Sequence, residues 1–176
     1  MKKPTTLALA ALSSFALAGA ALATGALPRS GDDFAVYKEL QDWTVYADGE
    51  RGSCLIERVD EAGNVMQMGL DKKHKHAYVG IFTLADIDIK NRQKVEILVD
   101  DALFEGKVHG IKSKKLKGDY SGGYVILKDA NMVTAIAEGQ TMVAFPEKTG
   151  GLFVIDLTGT KNAIDEARKC NLEIAK

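Results

Sequence analysis

The stretch Ala77-Tyr78-Val79-Gly80-Ile81-Phe82-Thr83 decides the fold class. It sets aromatic and β-branched residues side by side without a charge, the composition that fits a pleated, buried surface. Working outward toward the N-terminus, residues 65–70 (VMQMGL) continue the strand reading. Residues 54–59 (CLIERV) read as a strand that ends at the Glu61-Ala62-Gly63-Asn64 turn, and Trp43-Thr44-Val45-Tyr46 alternates into Asp48-Gly49. Toward the C-terminus, residues 94–99 (KVEILV) form a strand stopped by Asp100-Asp101. Leu103-Phe104 and residues 108–111 read as two short strands around Gly106, and residues 124–127 as another. Residues 141–145 and 152–157 are two more, joined across Pro146 to Gly151. Residues 34–40 (FAVYKEL) fit either a short helix or an extended lead-in.

Two segments leave period two. In residues 129–138, Met132, Val133 and Ile136 share one helical face, Asp129 can cap the free N–H groups and Gly139 can end the helix. In residues 161–171, Ile164, Ala167 and Cys170 recur every three positions, with Thr160 or Gly159 as the cap. About eight to ten short strands with a C-terminal helix predict a mainly β chain, an antiparallel sandwich or barrel-like single domain over residues 34–176.

The chain has 176 residues, 23 Lys+Arg against 24 Asp+Glu, and 46% hydrophobic residues. That balance excludes a polybasic nucleic-acid binder, so no nucleic acid is expected as a partner, and the apolar content excludes a largely disordered chain. Two cysteines are too few for a disulfide-dense mini-protein or an all-cysteine zinc site.

Lys2 and Lys3 precede an apolar run over residues 7–22, and Ala21-Leu22-Ala23 is an A-x-A cleavage site. This three-part pattern predicts a signal peptide over residues 1–23, cleavage after Ala23 and a mature start at Thr24. An uncleaved anchor is the competing reading; the run is short for one and rich in Ala, Ser and Gly. Residues 24–33 (TGALPRSGDD) read as a flexible leader. No later segment approaches the length of a bilayer span, so no transmembrane segment is expected after cleavage. The expected location is the periplasm or the exterior.

Export changes the meaning of Cys54 and Cys170. In an oxidising compartment an isolated pair is more often a disulfide than two free thiols. Closing so long a loop is worth about 4–5 kcal/mol in the chain-entropy model. Two buried reduced cysteines are the alternative. A redox active site is not expected, since there is no C-x-x-C.

From Trp43 onward the order of signals is Asp42-Trp43-Thr44-Val45, then Cys54, then residues 95–101 (VEILVDD). A short helix over 130–139 precedes a strand over 141–145, and residues 153–164 (FVIDLTGTKNAI) close the series. This order resembles the invasion-associated locus B family of exported α-proteobacterial proteins. The chain departs from that pattern at two places: Tyr46 stands where the family has a cysteine, and Tyr120-Ser121-Gly122-Gly123 replaces a cysteine-rich turn. The resemblance implies an exported β-sandwich in which Cys54–Cys170 serves in place of the family's disulfides. It implies no catalytic site.

Lys72-Lys73-His74-Lys75-His76 is the sharpest cluster. On a strand His74 and His76 would share a face, as two metal ligands must, with His109 or Asp71 as a third. The lysines oppose a dication, and a solvated turn is the plainer reading. With Lys112, Lys114, Lys115 and Lys117, the lysines Lys72, Lys73 and Lys75 would form a patch for an anionic partner such as lipid headgroups, lipopolysaccharide or acidic glycans. Two separate solubilising loops compete with that. Residues 118–123 mimic the G-D-S-G-G loop of serine proteases, but Tyr120 shifts the register, and a glycine-rich turn is the reading. Asp86, Asp88, Asp100 and Asp101 offer oxygen ligands in pairs but lack EF-hand spacing, so turn roles explain them. Trp43, Tyr46, Tyr78, Phe82, Phe104, Phe145 and Phe153 are expected in the core, with a ring-stacking glycan site as the alternative. No nucleophile–base pair stands out and no cofactor is expected. The sequence therefore predicts a non-enzymatic binding module for a protein or envelope component, the alternative being a small-ligand or metal binder at His74 and His76.

Overall fold

A computed structural model describes residues 34–71, 73–109, 116, 119–144 and 153–175. The strands are β1 (Phe34–Glu39), β2 (Thr44–Asp48), β3 (Ser53–Val59), β4 (Val65–Leu70), β5 (Ala77–Thr83), β6 (Lys94–Val99), β7 (Ala102–His109), β8 (Ser121–Leu127), β9 (Thr141–Ala144) and β10 (Phe153–Asp156). Helix α1 (Ala130–Glu138) precedes β9, and α2 (Thr160–Ile174) follows β10. All ten strands form one sheet in the order β1-β2-β3-β4-β5-β8-β7-β6-β9-β10, and every pairing is antiparallel. The expected mainly antiparallel β fold with a C-terminal helix is therefore present.

The sheet has two arms, and β7 belongs to both. From Ala102 to Lys107 it pairs with β6, whereas only Val108 and His109 pair with β8, opposite Val125 and Tyr124. The sheet then curls. Arg58 on β3 forms an ion pair with Asp156 on β10 at 3.0 Å, and the Trp43 indole N–H donates to the Thr158 carbonyl at 2.9 Å. Strands from opposite ends of the order thus meet, which makes the fold barrel-like. Val45, Ile56, Met68 and Ile81 from one arm and Ile97, Met142 and Ile155 from the other enclose one hydrophobic cluster. Each such fully buried side chain contributes about 1.5–3 kcal/mol relative to exposure.

Helix α1 has the expected cap, the Asp129 side chain accepting from the Asn131 N–H, and buries Met132 and Ile136. Helix α2 is longer than the eleven residues expected, fifteen in all, with Gly159 at φ +82° as its N-cap. It buries Ala163, Ala167 and Cys170 against β2 and β3.

One open reading of the sequence is decided by the structure, and two expectations differ from it. Residues 34–39 form edge strand β1, kept extended by pairing with β2 and tied to α2 by a Tyr37–Glu173 hydrogen bond and a Lys38–Glu166 ion pair. The two short strands around Gly106 are one continuous strand, because the Val125 side chain occupies the place a Cβ at Gly106 would take. The glycine-rich turn continues into strand, with Ser121, Gly122 and Gly123 paired to Thr83, Phe82 and Ile81. Gly122 has φ +153°, and a Cβ there would overlap the Ile81 carbonyl.

Candidate functional site

Strands β3, β4 and β5 are buried on both faces. Beneath the core face of β3, β4 and β5, the opposite face buries Leu55, Gln67, Tyr78 and Phe82. That double burial explains why β5 reads as a nearly continuous apolar run. Glycines make room for rings there: a Cβ at Gly80 would overlap Tyr124. Tyr124 meets Tyr78 and Phe82 edge to face, each with centroids 5.1 Å apart.

A polar chain crosses this second face. The Tyr124 hydroxyl donates to Gln67 Oε1 at 2.9 Å, and Gln67 Nε2 donates to Glu57 Oε2 at 2.6 Å. Arg51 lies 5.2 Å over the Tyr78 ring and pairs with Asp48 at 3.4 Å. Burial pushes the Asp48 carboxyl up from its ordinary range, while the Arg51 N–H and guanidinium pull the other way. Burial likewise raises the Tyr78 phenol. Glu50, Arg51, Asp71, Tyr78, His109 and Tyr124 border a cleft of about 330 Å³. The aromatic rings are packed against one another and under Arg51, so this cleft offers little free ring face for stacking a sugar.

The β4–β5 hairpin carries the predicted histidines. His74 has φ +54° and sits in a bend, not on a strand, so the same-face argument for His74 and His76 does not hold. The His74 Nε2–H donates to the Arg51 carbonyl at 3.0 Å, and His76 Nδ1 lies 3.3 Å from Asp71 Oδ2. Backbone N–H groups, first that of Lys75, hold the Asp71 carboxyl below its ordinary range. Among the described residues no group of three or more His, Cys, Asp or Glu side chains converges, although His109 on β7 borders the same cleft as Asp71. Lys73 and Lys75 are exposed beside these histidines. Lys72, Lys112, Lys114, Lys115 and Lys117 lie outside the described residues, as do residues 1–33. Asp100 has a turn role: at φ +49° its carboxylate accepts the Gln140 and Thr141 N–H groups and fastens the β6–β7 turn to β9.

The expected Cys54–Cys170 disulfide is present, with a Cα–Cα distance of 6.1 Å. Next to it the Asn171 side chain accepts the Cys54 N–H at 2.9 Å. The staple joins β3 to α2 beside an apolar cleft of about 190 Å³ bordered by Met68, Val133 and Ile164.

A further cleft lies where β7 leaves β8. It measures about 450 Å³ and is bordered by Lys94, Phe104, Gly106, Lys107, Ile126 and Lys128, with Glu105, Asp129 and Met132. His109 and Ile126 belong to this fork and to the Arg51 cleft alike. The sequence reading did not single out its lysines. A signal was available: a hairpin centred on Asp100-Asp101 sets Lys94 opposite Lys107.

The fold and site together define a disulfide-stapled, curled antiparallel sheet with an open fork between its arms. No family model, curated protein or solved structure matches the chain. Among the described residues no helix is long and apolar enough to cross a membrane.

Proposed function

We propose that the protein is exported to the periplasm or beyond and acts there as a non-enzymatic binding module of the invasion-associated locus B type, engaging a protein or another envelope component. The observation that carries the binding reading is the fork between β7 and β8, an open cleft with an apolar floor and a lysine rim built on paired strands. Such convergence of apolar and polar groups in a concavity is what ligand and partner sites share. Export is supported by the pattern of residues 1–23 and by the disulfide, since such bonds persist in oxidising compartments. The order of motifs from Trp43 to Ile164 supports the family kinship.

The test is fractionation of a Gram-negative host expressing the full chain. Expected is release by osmotic shock, an intact mass beginning at Thr24 with both cysteines oxidised, and sedimentation of the released protein with purified envelopes. Retention in the cytoplasm with residues 1–23 attached would overturn export. Failure to sediment with envelopes would overturn the binding reading.

A further inference from the structure

We propose that the β7–β8 fork is a strand-acceptor site for an acidic, extended peptide of a partner protein. This deepens the binding-module reading and rests on it. In an antiparallel ladder, successive residues turn their backbone N–H and C=O to alternate sides. Val108 turns its groups toward β6: its N–H donates to the Gln93 carbonyl at 2.9 Å, and its carbonyl accepts the Arg92 N–H at 2.7 Å. The same alternation points those of His109, Lys107 and Glu105 toward β8. His109 finds Tyr124 there, and because Val108 spends its own groups on the β6 side, the Val108–Val125 pair is made by the Lys107 carbonyl accepting the Ile126 N–H; the described ladder has no pair beyond it, which leaves the Lys107 N–H and both groups of Glu105 outside it. On the other bank only the Ile126 carbonyl is outside the ladder, and β8 ends one residue later. The edge of β7 from Glu105 to Lys107 therefore runs open past the end of β8, along the cleft. Open edges are templates for another strand, whose main chain supplies the missing donors and acceptors.

The side chains say what kind of strand fits. Phe104 and Ile126 give the cleft an apolar floor for alternate side chains. Its rim is basic. Lys94 and Lys107 stand directly opposite in the β6–β7 ladder, a like-charge pair that disfavours itself unless an anion lies between or beside it. Lys128 faces them from the other bank. Among the described residues none of these three lysines belongs to an ion pair. Asp129 is committed to capping α1, while Glu105 and Glu96, opposite each other in the ladder and next to the lysine pair, offset part of the charge of the three lysines. Among the described residues Leu103 is the one exposed large apolar side chain at the cleft; the others, such as Val36, Val59 and Val154, are elsewhere. Unpaired main chain at strand spacing favours a peptide over a glycan.

The experiment uses the full oxidised exported chain and two synthetic peptides of about ten residues, a usual strand length or longer. One alternates valine with aspartate, the other valine with lysine. The valine–aspartate peptide is expected to bind and to slow hydrogen exchange at the Glu105 and Lys107 amides. The double variant Lys107→Glu, Lys128→Glu should weaken it about tenfold or more, while Lys161→Glu, on α2, leaves it unchanged. N-methylation of alternate peptide nitrogens should abolish binding, because it removes the main-chain donors. Equal binding of the lysine peptide, undiminished binding of the methylated peptide, tighter binding of a carboxylated oligosaccharide, or no binding at about 1 mM peptide would each overturn the proposal. Unchanged thermal unfolding of the double variant guards against misfolding. If the double variant still sediments with envelopes, the fork proposal falls and the binding-module reading stands.

Discussion

Arg58 Nη2 and Asp156 Oδ2 lie 3.0 Å apart although their strands stand third and tenth in the order of the sheet. The Arg58 guanidinium also donates to the Thr158 carbonyl at 3.3 Å, beside the Trp43 indole that donates to the same oxygen. Among the described residues backbone pairing does not close this sheet; Trp43, just before β2, and Arg58 on β3 reach across to Asp156 and Thr158 at the end of β10. The Thr158 side chain and N–H, and then Arg58, hold the Asp156 carboxyl below its ordinary range.

Arg58→Met should loosen this seam. Asp156 is half exposed, so the ion pair itself is screened and worth about 1 kcal/mol or less. The expected result is a small fall in global stability with a larger rise in hydrogen exchange at the Phe153–Asp156 amides. Exchange unchanged at β10 would show that the Trp43 hydrogen bond and the ladder to β9 hold the seam alone.

The disulfide should matter more than any single ion pair. Cys54 and Cys170 are buried and separated by 116 positions. Replacing both with serine, or reducing the protein, should cost about 2–5 kcal/mol, read from urea unfolding with and without reductant. Limited proteolysis should cut α2 first, since short helices are marginal without anchoring. Equal stability of oxidised and reduced protein would refute this.

Gly122→Ala and Gly106→Ala separate two kinds of glycine. At Gly122 the positive φ and the overlap with the Ile81 carbonyl should cost about 3 kcal/mol or more. At Gly106 the obstacle is the Val125 side chain, and the cost should be about 1–3 kcal/mol, relieved in the double variant with Val125→Ala. Chemical denaturation of the four proteins reads both.

Gln67 is 1% exposed and bonded at both ends, to Glu57 and to the Tyr124 hydroxyl. Gln67→Ala leaves buried polar partners with fewer bonds and should cost about 2–4 kcal/mol. Tyr124→Phe removes one neutral hydrogen bond and should cost about 1 kcal/mol. A Gln67→Ala variant as stable as the wild type would mean that water or another side chain replaces the amide.

Acid should weaken the tie between β1 and α2. The Lys169 and then Lys38 side chains hold Glu166 below its ordinary value of 4.5. A depressed folded pKa means the folded state binds this proton less readily, so the stabilisation is present above about pH 4.5 and is lost as the pH falls through the lowered value. Glu166→Gln should flatten that part of the stability–pH curve, followed by urea titrations from neutral to acid pH. Asp48 works in the opposite sense: its raised pKa means stability falls as the pH rises through its titration.

Strands with β-branched and aromatic runs were legible in the sequence because local composition and burial agree there: β2, β3, β5, β6 and β10 fall where the pattern puts them. Both helix starts were legible from Asp129 and Gly159. Edge strand β1 was legible only as one of two readings, because FAVYKE gains its extended form from β2 and α2, partners that no local pattern contains. Residues 121–123 read as a turn because glycine signals a bend, whereas here it makes room for Phe82 and Tyr124. The histidine cluster misled through its spacing, since alternation needs a strand and the chain bends at His74. The fork was hidden because Lys94, Lys107 and Lys128 are scattered along the chain. The lysine runs that did stand out lie largely outside the described residues.

The places where this fold is fastened are also the places farthest apart along the chain. Tyr37 reaches Glu173 across 136 positions, Trp43 reaches Thr158 across 115, and the disulfide spans 116. Contacts that distant bring loop-closure entropy before they bring stability, so they slow folding. The first three strands have no completed core until the last helix arrives to cover them. Until residues 160–174 are made and docked, β2 and β3 lack the helix that covers their core face, so the unfinished fold is the less stable one. Oxidation of Cys54 and Cys170 then acts as the latch that makes the finished form hard to reverse.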